Sequence, residues 1–161
     1  MKLRLKDLEL TSPAFKHLEP IPQSYTSEGD NVSPALQWSK IPPETQRLAL
    51  ICHDPDAPLP WGFTHWVLYN IPADITEIEL GGGGLYTAGV NTTGSKGYTG
   101  PNPPEGHGTH YYYFWLYAID LDRDLQAGLN REELLHAMPS ASSAIADSVT
   151  AQARLVGTYQ R

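Results

Sequence analysis

The stretch Thr109–Ile119, with the sequence THYYYFWLYAI, decides the fold class of this chain. From Tyr111 to Ile119 it is an unbroken series of aromatic and aliphatic residues, and a segment rich in Gly and Pro precedes it. Such a run predicts a central β-strand with both faces covered. Because successive side chains of a strand point to opposite faces, His110 and Tyr112 should share one face, and Tyr111 and Tyr113 the other.

Shorter apolar runs, bounded by Pro, Asp or Gly, predict further strands. They comprise residues 3–10, where a change of phase suggests a bulge, and residues 35–38, 47–52 and 65–69. Near the C-terminus, Asn130 is a predicted helix N-cap with Glu133 three residues later, and Pro139 should end that helix. A second helix to about Ser148 and then a strand to about Tyr159 are expected. The pattern predicts one mostly β domain over residues 1–161, an antiparallel β-sandwich with a few peripheral helices.

Composition and charge exclude several classes of function. The 161 residues suit one domain, and 11 Lys+Arg against 18 Asp+Glu give a formal net charge of −7. This balance argues against a nucleic-acid partner and against docking on an anionic membrane. The single cysteine, Cys52, excludes an intramolecular disulfide and a Cys-based zinc cluster. With no signal peptide and no apolar stretch long enough to span a bilayer, a soluble cytoplasmic protein is expected.

Polar residues are concentrated at the predicted strand ends. Asp54 and Asp56 follow the strand 47–52, His65 starts the next strand, and a Gly/Pro loop leads into His110 and Tyr112. Asp56 is also a residue that commonly caps a turn, and a histidine such as His65 is often only hydrogen-bonded. Together, however, Asp54, His65, His110 and Tyr112 supply the donors of a small oxyanion site. No Lys or Arg belongs to this set, so a protonated imidazole would have to provide the positive charge.

These motifs resemble the phosphatidylethanolamine-binding protein family, in its bacterial and archaeal branch of Raf-kinase-inhibitor-like proteins. The resemblance runs from about Thr11 to Tyr159 and rests on seven segments: residues 12–15, 25–29, 33–38, 54–58, 65–72, 100–106 with His110 and Tyr112, and 155–159. The boxes at 54–58 (DPDAP) and 100–106 (GPNPPEG) are the most specific.

The resemblance implies an antiparallel β-sandwich with Greek-key connections and a small anion-binding pocket. The pocket would comprise Asp54, His65, His110 and Tyr112, with Pro58 and Pro104 as walls, and Asp56 belongs to the same box. Members of this family bind phosphate-like groups, including phospholipid headgroups and phosphorylated side chains, and some inhibit kinases or proteases. The resemblance to bacterial members also implies a homodimer. Many relatives have Arg where this chain has Tyr111, so an ion pair made by that Arg behind the pocket is not expected here.

The leading hypothesis is a non-enzymatic binder of a small phosphoryl anion, with no cofactor and with a protein target such as a kinase or protease. Its phosphate affinity should rise as pH falls through the histidine range, about pH 6–7. A metal-dependent hydrolase using Asp54, Asp56, His65 and His110 is the alternative, because imidazole and carboxylate suit zinc. Neither a Gly-x-Ser-x-Gly elbow nor a P-loop is present. A dimeric interaction module without a small ligand is the third possibility.

Overall fold

The protein folds into two antiparallel sheets, as the computed structural model shows for residues 8–140 and 149–161. The three-stranded sheet has the order β1-β2-β5, with β1 at Glu9–Thr11, β2 at Leu36–Ser39 and β5 at Glu77–Ile78. The five-stranded sheet has the order β6-β4-β3-β7-β8, with β3 at Arg47–Asp54, β4 at Phe63–Pro72, β6 at Thr87–Ala88, β7 at His110–Ile119 and β8 at Val149–Tyr159. The predicted mostly β fold is confirmed.

The aromatic run forms β7, which lies between β3 and β8 as a central strand. Its pairing with β3 places Phe114 opposite Cys52, and its pairing with β8 places Tyr112 opposite Gly157. Tyr112 and Phe114 are buried on the inner face, towards the smaller sheet, while Tyr111 is exposed. The predicted alternation along this strand is therefore confirmed.

The outer face of the five-stranded sheet has a second, smaller apolar core. Helix α1 (Arg131–Ser140) packs Leu134 and Met138 against side chains such as Ile51 and Val67. β3 is covered on both faces, which explains its continuous apolar sequence. The outer side chains of β7 are exposed at Tyr111 and half-buried from Tyr113 to Tyr117, so the predicted coverage of both faces is only partial there.

Helix α1 begins with the predicted capping box. The Glu133 N–H donates to Asn130 Oδ1, and the Asn130 N–H donates to Glu133 Oε2, each at 2.9 Å. The helix continues one residue beyond Pro139, the predicted end, and reaches Ser140. A single turn of 3-10 helix at Gln23–Tyr25 is the one other helical element among the described residues.

Two predictions fall partly outside the described residues. The strand predicted over residues 3–10 lies outside the described residues up to residue 7, and its last part forms the start of β1, which begins at Glu9. The helix predicted up to about Ser148 lies outside the described residues over 141–148. The strand predicted after it is β8, which covers Val149–Tyr159 as expected. No helix among residues 8–140 and 149–161 has the length and apolar character needed to cross a membrane.

The long connection from β6 to β7, residues 89–109, positions the polar residues. It leaves the sheet beyond β4 and returns on the far side of β3, so it passes the ends of both strands. On the way, the Thr92 N–H donates to the carbonyl of Thr64 at 3.0 Å, and the Thr99 N–H donates to that of His65 at 2.9 Å. The end of β3, the start of β4 and the start of β7 thus meet beneath one loop.

Candidate functional site

Asp54 and His110 form the centre of a buried polar cluster. His110 Nδ1 lies 2.7 Å from Asp54 Oδ2, and the side chains are only 2% and 3% exposed, respectively. The other carboxylate oxygen of Asp54 accepts the N–H of Asp56 at 2.7 Å. Since a carboxylate only accepts hydrogen bonds, Nδ1 of His110 carries the proton, and Nε2 is the nitrogen directed away from Asp54.

Tyr112 lies next to both predicted histidines on the inner face of the sheet. Its ring centroid is 5.2 Å from that of His65, edge to face, and 6.5 Å from that of His110, nearly parallel. Burial, and next the charge of Asp54, raise the pKa of Tyr112, so its hydroxyl remains protonated and can donate. The hydroxyl oxygen is buried and has no hydrogen-bond partner within the described parts of the chain. A buried hydroxyl of this kind calls for a partner.

A β-bulge brings His65 into the cluster. In the pairing of β3 with β4, Cys52 is opposite Trp66 and His53 is opposite Thr64, so His65 is an extra residue between two regular pairs. Strict alternation would place His65 on the outer face with Val67. The extra residue instead lets His65 and Trp66 both lie on the inner face, where His65 contacts Tyr112. Bulges commonly redirect side chains next to functional sites.

His65 is held as a neutral imidazole. Its Nδ1 lies 2.7 Å from the carbonyl oxygen of Thr99, so Nδ1 is the protonated nitrogen and Nε2 bears the lone pair. Burial is the main cause that lowers the pKa of His65 to about 4, against the smaller opposing effect of the bond to Thr99. At neutral pH His65 therefore offers an acceptor to the cluster and not a positive charge.

The Gly/Pro loop that precedes β7 is anchored on two sides. On one side, the Gly100 N–H donates to Asn31 Oδ1 at 2.7 Å, and a Cβ on Gly100 would come within 2.3 Å of the Tyr25 carbonyl oxygen. On the other, the Arg161 guanidinium donates to Asn102 Oδ1 at 3.1 Å and to Glu28 Oε1 at 2.8 Å. The guanidinium that contacts this loop is therefore already paired with a carboxylate.

The other three predicted site residues, Asp56, Pro58 and Pro104, are exposed. Asp56 Oδ2 accepts a hydrogen bond from the N–H of Tyr111 at 2.9 Å. Asp56 therefore joins the DPDAP turn to β7. Pro58 and Pro104 take no part in the hydrogen bonds or ring contacts that connect the four buried side chains. The structure thus brings Asp54, His65, His110 and Tyr112 together and links Asp56 to them through the backbone, whereas Pro58 and Pro104 stay predicted walls.

His107 is a member of the cluster that sequence reasoning missed. Its Nδ1 lies 2.6 Å from His110 Nε2, with the ring centroids 4.9 Å apart. The signal in the sequence is a histidine within the Gly/Pro loop, three residues before His110. It was overlooked because alternation applies to strands and gives no direction for a side chain in a loop.

Metal binding was the alternative use of these residues. Across residues 8–140 and 149–161, no group of three or more His, Cys, Asp or Glu side chains is arranged to hold a metal ion. Cys52 is buried, and burial raises the pKa of its thiol well above the usual value.

Comparison with known proteins agrees with this architecture. Residues 11–160 match the family model described as phosphatidylethanolamine-binding protein. A UPF0098 protein of Methanothermobacter thermautotrophicus is 42% identical, over 96% of this chain and 99% of the relative.

Two solved structures have the same fold. The phosphatidylethanolamine-binding protein homologue of Chlamydia trachomatis superimposes with a TM-score of 0.85 at 35% identity, covering 96% of this chain and 97% of its own. YbcL of Escherichia coli, described as a member of the mammalian family, also gives 0.85, at 27% identity over 96% and 99% of the two chains.

Proposed function

Because the chain belongs to the phosphatidylethanolamine-binding protein family, we propose that it binds a small phosphoryl anion at the cluster of Asp54, His65, His110 and Tyr112. The observation that carries the proposal is the buried Tyr112 hydroxyl, a donor with no partner among the described residues. A phosphoryl oxygen is an acceptor that would satisfy it.

The protonation states of the cluster favour a phosphoryl group that itself carries a proton. Tyr112 donates, whereas His65 Nε2 accepts, because the Nδ1 proton is directed to Thr99. While His110 is neutral, its Nε2 also accepts, because the Nδ1 proton is directed to Asp54. A P–OH group of the ligand can donate to one of these Nε2 atoms. Alternatively, an imidazole that takes up a proton donates to an ionised phosphoryl oxygen. Either way, binding takes up a proton, and affinity should rise as pH falls.

Calorimetric titration tests this proposal. Phosphate and phosphoethanolamine are titrated at pH 5.5 and pH 8 into the wild-type protein and into the variants His110→Ala and Thr109→Val. We expect tighter binding at pH 5.5 and loss of saturable binding in His110→Ala. Thr109→Val is the matched control, since that side chain bonds Gln160 on the surface. Equal affinity at the two pH values, or binding unaffected by His110→Ala, would contradict the proposal. A preference for phosphoethanolamine would indicate a headgroup ligand, and equal affinity a free phosphate.

We also propose that the protein acts by occupancy, as a regulator or inhibitor of a kinase or protease, and not as an enzyme. In support, the side chains next to the Asp54–His110 pair offer no activated nucleophile: the pKa values of Tyr112 and Cys52 are both raised. Turnover of phosphoesters by the purified protein, or a stoichiometric metal ion found by elemental analysis, would instead support the hydrolase alternative.

A homodimer in the cytoplasm is our proposal for the functional state. Large apolar side chains on the surface, with Trp61 84% and Leu85 92% exposed, support a contact between copies. Light scattering coupled to size exclusion should give twice the mass of the chain, and the mass of one chain would contradict the dimer.

A further inference from the structure

His107 connects the buried cluster to the surface of the protein. Asp54, His65, His110 and Tyr112 are all buried, whereas His107 is exposed. His107 Nδ1 lies 2.6 Å from His110 Nε2, the one ring nitrogen of His110 that Asp54 does not use. The atom that would meet a ligand is therefore already hydrogen-bonded within the protein.

The direction of this bond follows from the Asp54 contact. His110 Nδ1 donates to Asp54, so in the neutral ring Nε2 accepts, and His107 Nδ1 must be the donor. His107 thus donates to His110 Nε2 the hydrogen bond that a P–OH group of a ligand would donate. The two compete for one lone pair.

The backbone around His107 allows its side chain to leave. Gly106 and Gly108, with φ of 72° and 90°, flank it, and a Cβ on either would meet no atom within 4 Å. The His107 N–H donates to the carbonyl of Pro104, and the Gly106 N–H donates to that of Arg161, each at 3.1 Å. The loop is thereby held in place on its N-terminal side, while His107 itself is exposed, so its imidazole can turn towards solvent.

We propose that His107 is a gate: its imidazole occupies His110 Nε2 until a phosphoryl anion displaces it. This inference rests on the proposed function of the same site. A ligand that must first break an internal contact binds with an affinity reduced by the fraction of molecules in which the contact is open. Removing the imidazole should therefore raise affinity, in contrast to the loss expected for His110→Ala.

Titration of inorganic phosphate into the wild-type protein, His107→Ala and Thr109→Val tests the gate. We expect His107→Ala to bind phosphate about five- to tenfold more tightly than the wild type, and Thr109→Val to equal the wild type. If the wild type binds and His107→Ala binds equally or more weakly, the gate is wrong and the proposed function stands. If no protein of the three shows saturable binding, the proposed function fails and the gate with it.

A second measurement uses the unaltered protein and needs no variant to fold. Nitrogen NMR of the histidine rings should detect the hydrogen bond between His107 and His110 without phosphate. At saturating phosphate that signature should disappear, while the signal of His110 Nδ1–H bonded to Asp54 remains. Persistence of the His107 signature at saturation would overturn the gate.

Discussion

The carboxylate of Asp54 accepts two hydrogen bonds, one from His110 Nδ1 and one from the backbone N–H of Asp56, each at 2.7 Å. The same carboxylate thus closes the DPDAP turn and orients the imidazole of the candidate site. Removing it would leave an imidazole N–H without its partner in the interior of the sandwich.

We expect Asp54→Ala to lower the free energy of unfolding by about 3 kcal/mol, because it breaks a buried pair and strands a buried donor. Asp56→Ala should cost only about 1 kcal/mol, since Asp56 is exposed and loses one bond to the Tyr111 N–H. Urea denaturation of the two variants measures both values. Equal losses would show that the Asp54–His110 pair has no special role in stability.

Tyr112→Phe should separate stability from binding. The substitution removes a buried hydroxyl that lacks a partner in the described residues, so the free energy of unfolding should stay constant or rise by about 1 kcal/mol. Phosphate affinity should fall about tenfold, because the ligand loses a donor. Denaturation and calorimetry of the same preparation give the two numbers. A marked loss of stability together with unchanged affinity would assign the hydroxyl to the fold.

Acid should destabilise the protein through His65. In the folded state burial lowers the pKa of His65 to about 4, compared with 6.5 for an ordinary histidine. Between these values the unfolded chain binds the proton and the folded protein does not, so stability is lost as pH falls from about 6.5 to about 4. The contribution of His65 should be about 1.4 kcal/mol per pH unit.

The variant His65→Gln isolates this effect from the titration of carboxylates. Glutamine keeps an N–H donor for the Thr99 carbonyl and does not titrate, so its stability should depend less on pH. The difference between wild type and variant is measured by denaturation at pH 4, 5, 6 and 7, with His136→Gln on the exposed side of α1 as the control. His53 is also buried, with its pKa lowered to about 4 mainly by burial, and it should give a residual slope of the same sign. An identical pH profile for His65→Gln and wild type would contradict this interpretation.

Gly62 is required where β4 begins. It has a φ of 67°, and a Cβ there would lie 2.5 Å from the Asp54 carbonyl oxygen and 2.8 Å from His53 Nε2. We expect Gly62→Ala to lower the free energy of unfolding by at least about 2 kcal/mol. Gly84→Ala, where a Cβ meets no atom within 4 Å, should change it by less than about 0.5 kcal/mol. Thermal unfolding compares them, and similar midpoints would show that the turn adapts.

Strand periodicity predicted the part of the site that lies on a regular strand. His110 and Tyr112 share a face because they are two residues apart on β7, and Tyr111 points outwards for the same reason. His65 could not be placed in this way, since its direction depends on an extra residue in the pairing of β4, and the sequence carries no local signal for that bulge. The position of His107 could not be predicted for a similar reason, because its contact with His110 depends on the path of a loop anchored on Asn31 and Arg161.

The bulge at His65 also bears on how this site is inherited. If His65 were deleted, Thr64 and Trp66 would become neighbours opposite His53 and Cys52, and the ladder between β3 and β4 would be regular at this point. One codon therefore separates a sandwich that carries this imidazole from one that does not, with the hydrophobic register of β4 unchanged. Descendants can lose the ligand chemistry and keep the scaffold, so a shared fold among distant relatives is weak evidence that they share a ligand.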